Sequence, residues 1–246
     1  MNAIILSDVH LRDGSSLKTQ LMVRFFQEVA SRYERIYILG DLFDVWPGTS
    51  SYLVRIFKPV LQTLRKLVED NHTIHYIEGN HDFRLGQYFR ESLGIQVYTD
   101  RIIEEWNGRK IYMTHGDLGN PKELGYRALR YVLRHNLLHL GLRAIPQDWI
   151  YKIGMQSSQL SRGYQKRMPA SESAIRQIYR KTAEQIFREG YDVVLMGHTH
   201  LPDDVSTIVE GRPCRYINTG DWIRHFTYLE FDGSQFYTKI HPVKDL

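Results

Sequence analysis

The chain has 246 residues, of which 42% are hydrophobic and 24% charged, the profile of an ordinary soluble globular protein with material for a sizeable core. Its longest apolar runs, such as Ile4-Ile5-Leu6 and Val193-Val194-Leu195-Met196, are strand-sized and far short of the ~20 residues a membrane helix needs. The formal charge of +4 hides a contrast: 12 Lys and Arg face 3 Asp and Glu between Lys122 and Lys181, against 20 basic and 25 acidic residues elsewhere. Such segregation marks either a solvated helical face or a segment turned toward an anion: a phosphorylated ligand, a membrane surface or a nucleic acid.

In chain order, apolar runs near residues 3–8, 35–39, 74–78, 110–114 and 192–196 read as strands. Amphipathic stretches at about 18–32, 52–70, 84–92 and 171–189 read as helices between them, with Leu61, Leu64, Leu67 and Val68 at helical spacing. Asn107-Gly108, Glu210-Gly211 and Asp232-Gly233 supply the positive backbone angles of tight hairpins, so residues 204–241 read as short antiparallel strands. The expected architecture is α/β, a two-sheet sandwich flanked by helices. One domain over 1–246 is expected, with the basic, apolar stretch 122–170 as a helical cap inserted in it. The single cysteine, Cys214, excludes an intrachain disulfide and fits a reducing compartment. With the first strand starting at Ala3, no leader is expected ahead of it and a cytoplasmic location follows.

Five strand-like runs end on metal-ligand residues: Asp8 and His10, Gly40-Asp41, Gly79-Asn80-His81-Asp82, His115-Gly116-Asp117, and His198 with His200. Taken singly, each reads as a cap or a surface side chain. Together, at the carboxyl ends of strands in an α/β sheet, they converge on one site. On an extended backbone Asp8 and His10 share a face, as do His198 and His200. The set Asp8, His10, Asp41, Asn80, His115, His198 and His200 is mixed nitrogen and oxygen with no thiolate, which suits two divalent ions of the Mn²⁺, Fe²⁺ or Zn²⁺ type. Two such ions ~3.5–4 Å apart can activate a water and clamp a phosphoryl group, a geometry that needs one shared carboxylate, here Asp41. His81 points away from the ligands on an extended backbone and is free to stabilise a phosphate or protonate a departing oxygen, with Asp82 orienting it. Asp117 can hydrogen-bond a ligand histidine. His72, His75, His135, His139, His225 and His241 lack such partners and read as structural.

These motifs closely resemble the calcineurin-like metallophosphoesterase superfamily, whose D-x-H, G-D, G-N-H-D/E, H-G and G-H-x-H pattern is matched from Asp8 to His200. The resemblance implies one ion on Asp8, His10, Asp41 and His200, and the other on Asp41, Asn80, His115 and His198. Within the superfamily the chain is most similar to the UDP-2,3-diacylglucosamine pyrophosphatase family of lipid A synthesis, through Gly40-Asp41-Leu42-Phe43 with Trp46, Asp82-Phe83 with Leu85-Gly86, and Gly125-Tyr126. That resemblance implies Mn²⁺ as the ion, a UDP-linked glycolipid as substrate, UMP and lipid X as products, and work on the cytoplasmic face of the inner membrane. It also implies substrate contacts at Trp46, His81, Glu123, Tyr126, Arg130, Ser158 and Lys166. The family has Arg where this chain has His81, and its cap contacts are loosely echoed. A related enzyme acting on another nucleotide-diphospho or phosphodiester substrate, or a nuclease, is the competing reading. Nucleic acid is not expected, because the basic segment is heavily apolar and carries no recognised nucleic-acid motif. A non-enzymatic module would have lost ligands, and none is missing. No obligate protein partner is inferred.

Overall fold

The computed structural model describes residues 1–121, 123–135, 145–167 and 171–243, with side chains undescribed over 160–167. Two sheets lie face to face. The first runs β11-β10-β1-β2-β3-β4, from β1 (Ala3–Leu6), β2 (Arg35–Ile38), β3 (Thr73–Ile77), β4 (Gln96–Tyr98), β10 (Thr227–Phe231) and β11 (Phe236–Ile240). The second runs β5-β6-β7-β9-β8, from β5 (Arg101–Trp106), β6 (Arg109–Thr114), β7 (Val193–Met196), β8 (Asp203–Val209) and β9 (Arg212–Asn218). β1 to β4 are parallel, as are β6, β7 and β9, while the hairpin-linked pairs are antiparallel.

Strand alternation sorts the core. Ala3 and Ile5 of β1, Tyr37 of β2 and Val193 and Leu195 of β7 face the space between the sheets, with Trp106, Phe231 and Phe236 closing it. The alternate residues Ile4, Leu6, Ile36 and Ile38 face the helices α1 (Leu17–Glu28) and α3 (Lys58–Glu69). Val194 and Met196 meet Tyr179, Ala183, Ile186 and Phe187 of the helix spanning Glu172–Arg188. Strands buried on both faces explain the continuous apolar runs.

Where the sequence suggests longer helices, local chemistry breaks them. The expected 18–32 helix stops at Glu28 and a separate 3-10 turn covers Ala30–Arg32. The expected 52–70 helix is two, α2 (Ser51–Ile56) and α3, because Pro59 in the first turn of α3 cannot donate back into the previous helix. α4 covers Gly86–Glu91. Asn107-Gly108 and Glu210-Gly211 adopt paired positive φ (52° and 73°, 51° and 75°), as two-residue hairpins require. Asp232-Gly233 differs: only Gly233 is positive (101°), and Asp232 Oδ1 accepts from Ser234 N and Gln235 N in a wider turn.

Between β6 and β7 lie α5 (Leu124–Arg134), α6 (Gln147–Arg167) and α7 (Glu172–Arg188). Of the stretch expected as a cap, Lys122, 136–144 and 168–170 lie outside the described residues, and so does the side chain of Lys166. No helix among the described residues is long and apolar enough to cross a membrane.

Trp46 corrects an expectation. It is fully buried, with its ring 4.7 Å from Phe43, 6.0 Å from Phe57 and 5.4 Å from Phe89, so it packs the core and does not meet a substrate. Its backbone pairs with the loop after β3, Trp46 N donating to His81 O at 2.8 Å and Phe83 N to Trp46 O at 2.9 Å. Replacing Trp46 with Ala is expected to cost ~3–5 kcal/mol in denaturant unfolding, the range for deleting a large core aromatic. A stability unchanged by Trp46→Ala would show the indole is not a core anchor.

Candidate metal centre

The carboxyl ends of β1, β2, β3, β6 and β7 deliver the five motifs to one rim of the sandwich. Hydrogen bonds beyond the strand ends knit the loops together: His10 N to Asp41 O at 2.9 Å, Gly197 N to His115 O at 2.9 Å and Trp222 N to Asp8 O at 3.1 Å. The expected extended backbone is not what aims these side chains. Asp8, His10, Asp41, His198 and His200 all lie in the left-handed region, with φ of 54°, 53°, 57°, 69° and 60°. Asp and His are among the few side chains that tolerate it, and such strain collects at functional sites. Tight neighbours exclude anything larger than glycine: a Cβ at Gly79 would sit 2.0 Å from Asp41 Oδ1, and one at Gly197 2.5 Å from Asp8 Oδ2.

Two groups of donors meet at Asp41. On one side, His10 Nε2 stands 3.8 Å from Asp8 Oδ1 and 3.6 Å from Asp41 Oδ2, and His200 Nε2 stands 3.7 Å from Asp8 Oδ1. On the other, His115 Nε2 is 3.4 Å from the same Asp41 Oδ2, and Asn80 Oδ1 lies 2.9 Å from both His115 Nε2 and His198 Nδ1. Separations of 3.4–3.8 Å are too long for hydrogen bonds. They approach the ~3–3.5 Å between two donors that each sit ~2.1 Å from a shared divalent ion.

Proton positions sharpen the fit. His115 Nδ1 donates to Leu39 O at 2.7 Å, His10 Nδ1 faces Asp44 Oδ1 at 3.2 Å, and His200 Nδ1 faces Asp221 Oδ2 at 3.2 Å. With the proton fixed on Nδ1 of His115 and His200, their Nε2 atoms turn a lone pair toward carboxylate or amide oxygens, as metal-ligating histidines do. Asp8 Oδ1 and both ring nitrogens of His10 are buried with no hydrogen-bond partner, Nδ1 having only the Asp44 carboxylate beside it. Acceptors facing acceptors in a buried site call for a cation.

The protein's charge balance carries the same signature. Burial opposes charge on His10, but Asp44, Asp8 and Asp41 outweigh it and raise the ring to about 9. Burial likewise opposes charge on His115, which Asp41, Asp8 and Asp117 raise to about 10. Burial and then His115 push His198 down to about 4. Burial would raise Asp41, yet His115, His81 and His10 hold it well below the usual carboxylate range. A proton on His10 or His115 does here what a metal cation would do better.

His81 lies beside this centre, its ring 4.8 Å from that of His10. Nδ1 donates to Asp44 O at 2.8 Å, so Asp44 orients the ring, and Asp82 does not. Burial lowers His81 below its ordinary value against the pull of Asp41, leaving Nε2 an acceptor at neutral pH until an anion arrives. Asp82 is a buried staple: Oδ1 accepts from Asp41 N at 2.9 Å and Gly79 N at 3.0 Å, and Oδ2 from Phe43 N at 3.1 Å and Tyr76 Oη at 2.5 Å. It fixes the ligand loops without touching the reacting space.

The expected cap contacts divide. Tyr126 Oη donates to Asp117 Oδ2 at 2.5 Å and Arg130 Nε pairs with the same oxygen at 2.8 Å, both beside the centre but already engaged. Asp117 thus meets the cap, not a ligand nitrogen as expected. Glu123 is exposed and bonded to Asn120 Nδ2 at 2.8 Å. Ser158 is buried and donates to Asp44 Oδ1 at 3.1 Å. Sequence reasoning missed Asp44 and Asp221, the carboxylates behind His10 and His200. Asp44, three residues past Asp41, was visible as a second acid in the same motif, whereas Asp221 has no motif to mark it.

The chain belongs to the calcineurin-like phosphoesterase family, whose profile matches residues 1–202. That places it among metal-dependent hydrolases of phosphoesters. More particularly, it is 33% identical to the UDP-2,3-diacylglucosamine hydrolase of Ectopseudomonas mendocina, over 95% of each chain. It is 30% identical to the enzyme of the same name from Pseudomonas putida, over 95% of this chain and 96% of that one. Among solved structures, an archaeal phosphodiesterase aligns over 98% of this chain at 18% identity and a TM-score of 0.48.

Because Asp41 Oδ2 touches both donor groups, Asp41→Asn is expected to empty both metal positions in a Mn²⁺ titration. His200→Ala should empty one. If Asp41→Asn retained one ion at parental affinity, the shared carboxylate would have to be another residue.

Proposed function

We propose that this chain hydrolyses the pyrophosphate of UDP-2,3-diacylglucosamine to UMP and lipid X, with Mn²⁺ as the native ion. One ion would be held by Asp8, His10, Asp41 and His200, the other by Asp41, Asn80, His115 and His198. Residues 1–246 act as one catalytic unit and 122–170 as its cap. The observation that carries the phosphoesterase chemistry is the Asp41 carboxylate set between two inward-facing histidine groups. The relatives' shared name supports the substrate.

When bound, the ions supply Lewis acidity and an activated water. The chain's own residues do the rest. Asp41 and Asp8 hold negative charge in a buried site and so keep the donor set ready for cations. His81 offers Nε2 at the edge of the centre, where an arriving phosphate would draw a proton onto it and make it a donor to the phosphoryl or leaving oxygen.

The cap supports a lipid half on the substrate. α5 buries none of its residues, and its apolar side chains Leu124 (72%), Leu129 (53%), Tyr131 (71%) and Val132 (52%) are exposed. Trp149 (61%) and Ile153 (57%) are likewise exposed on α6. Meanwhile Arg130 and Arg134 turn inward to Asp117 and Glu78 at 2.8 and 3.1 Å. Apolar side chains outward and arginines inward suit acyl chains, or the cytoplasmic face of the inner membrane, better than water.

Incubation of the protein with UDP-2,3-diacylglucosamine and Mn²⁺ is expected to release UMP and lipid X. Asp41→Asn should lower the rate by at least ~100-fold, and removing metal with a chelator should do the same until Mn²⁺ is restored. Cleavage of a simple phosphodiester such as bis(p-nitrophenyl) phosphate with no release of UMP would overturn the substrate and leave the phosphoesterase standing.

A further inference from the structure

We propose that α6 is a positioning element of the metal centre: docked through Ser158 on Asp44, it fixes the His10 ring and so sets the affinity of the His10-side ion. This rests on the reading of His10 as a metal ligand. Tyr151, Gly154, Met155 and Ser158 fall at i, i+3, i+4 and i+7, one face of the helix. That face lies on the segment that follows the first two ligand motifs. Tyr151 Oη donates to Arg12 O, two residues beyond His10. Gly154 lies against Val45, where a Cβ would come 2.5 Å from Cγ1. Met155 packs on the core beneath. Ser158 Oγ donates to Asp44 Oδ1 at 3.1 Å.

Asp44 passes this contact on. Its carboxylate is fully buried, and Oδ1, the oxygen that Ser158 reaches, is the one 3.2 Å from His10 Nδ1. Oδ2 accepts from Arg12 Nε at 3.0 Å, and the Asp44 carbonyl accepts from His81 Nδ1 at 2.8 Å. A buried carboxylate keeps one rotamer only while its oxygens are supplied with donors. Without Ser158, Oδ1 loses one of its donors, so the carboxylate behind His10 is held less firmly and the His10 ring with it. Partners that orient a ligand histidine from behind are typically worth ~10–100-fold in metal affinity. Coupling is reciprocal, so an ion on His10 must in turn tighten α6.

The test is a Mn²⁺ titration of the whole protein by calorimetry, without substrate. Ser158→Ala is expected to weaken one of the two ions ~10-fold or more and leave the other unchanged. Ser158→Thr, which keeps the hydroxyl, should restore it. Gly154→Ala, which touches no ligand but wedges the helix off Val45, should weaken the same ion. Hydrogen exchange over residues 147–159 should slow when Mn²⁺ is added. If His10→Ala loses an ion while Ser158→Ala and Gly154→Ala, both folded by circular dichroism, bind as the parent does, the coupling is overturned and the metal centre stands. If His10→Ala itself binds both ions like the parent, the metal reading on which the proposal depends falls with it.

Discussion

The structure turns on a cluster of acceptors that face one another at the rim of the sandwich. Asp8, Asp41 and Asn80 offer oxygens, and His10, His115 and His200 offer Nε2, with the other ring nitrogen of His115 and His200 bonded to an acceptor behind it and that of His10 facing Asp44. A buried carboxylate without a partner costs several kcal/mol. Only cations make the arrangement favourable. The same carboxylates raise His10 to about 9 and His115 to about 10 against the cost of burial.

Holding those groups together requires backbone that is itself unfavourable. Five ligand residues occupy left-handed φ, a cost of order 1–3 kcal/mol each. The surrounding loops over-determine them. Asp82 gathers the Asp41, Phe43 and Gly79 amides on one carboxylate, and Asp8 Oδ2 accepts from His198 N at 2.7 Å across the two sheets. Asp82 sits in such a dense field that burial and Asp41 raise it to about 7 despite its donors. The motif residue beside His81 thus serves the framework, and its neighbour in sequence serves the reaction space.

What could be read from the sequence follows from which physics is local. The main strand positions, the sandwich and the convergence of five motifs were legible because runs such as Val193–Met196 must be buried on both faces and must end where the ligands begin. The direction of each ligand side chain was not. A strand-end Asp-x-His suggests an extended pair sharing a face, but both residues turn through positive φ, and that depends on the loop from Gly40 to Asp44 packed against them. The tryptophan at 46 carried the same ambiguity: an aromatic near a motif can line a pocket or close a core, and only the stack on Phe43, Phe57 and Phe89 decides. Asp221 was invisible because its partner, His200, is 21 residues away and no local pattern links them.

The charge contrast that drew attention to residues 122–181 resolves differently from a simple phosphate footprint. Arg130 and Arg134 have side chains only 16% and 17% exposed and are bound to Asp117, Asp100, Glu78 and the carbonyls of Thr99 and Gly79. Their charge attaches α5 to the ends of β3, β4 and β6. Buried or half-buried ion pairs hold register more than they add stability, and breaking one leaves the other charge stranded. The same helix leaves its leucines, valine and tyrosine in solvent, an arrangement that costs roughly 25 cal/mol per Å² of apolar surface left wet. Arg130 and Arg134 therefore orient α5 on the strand ends.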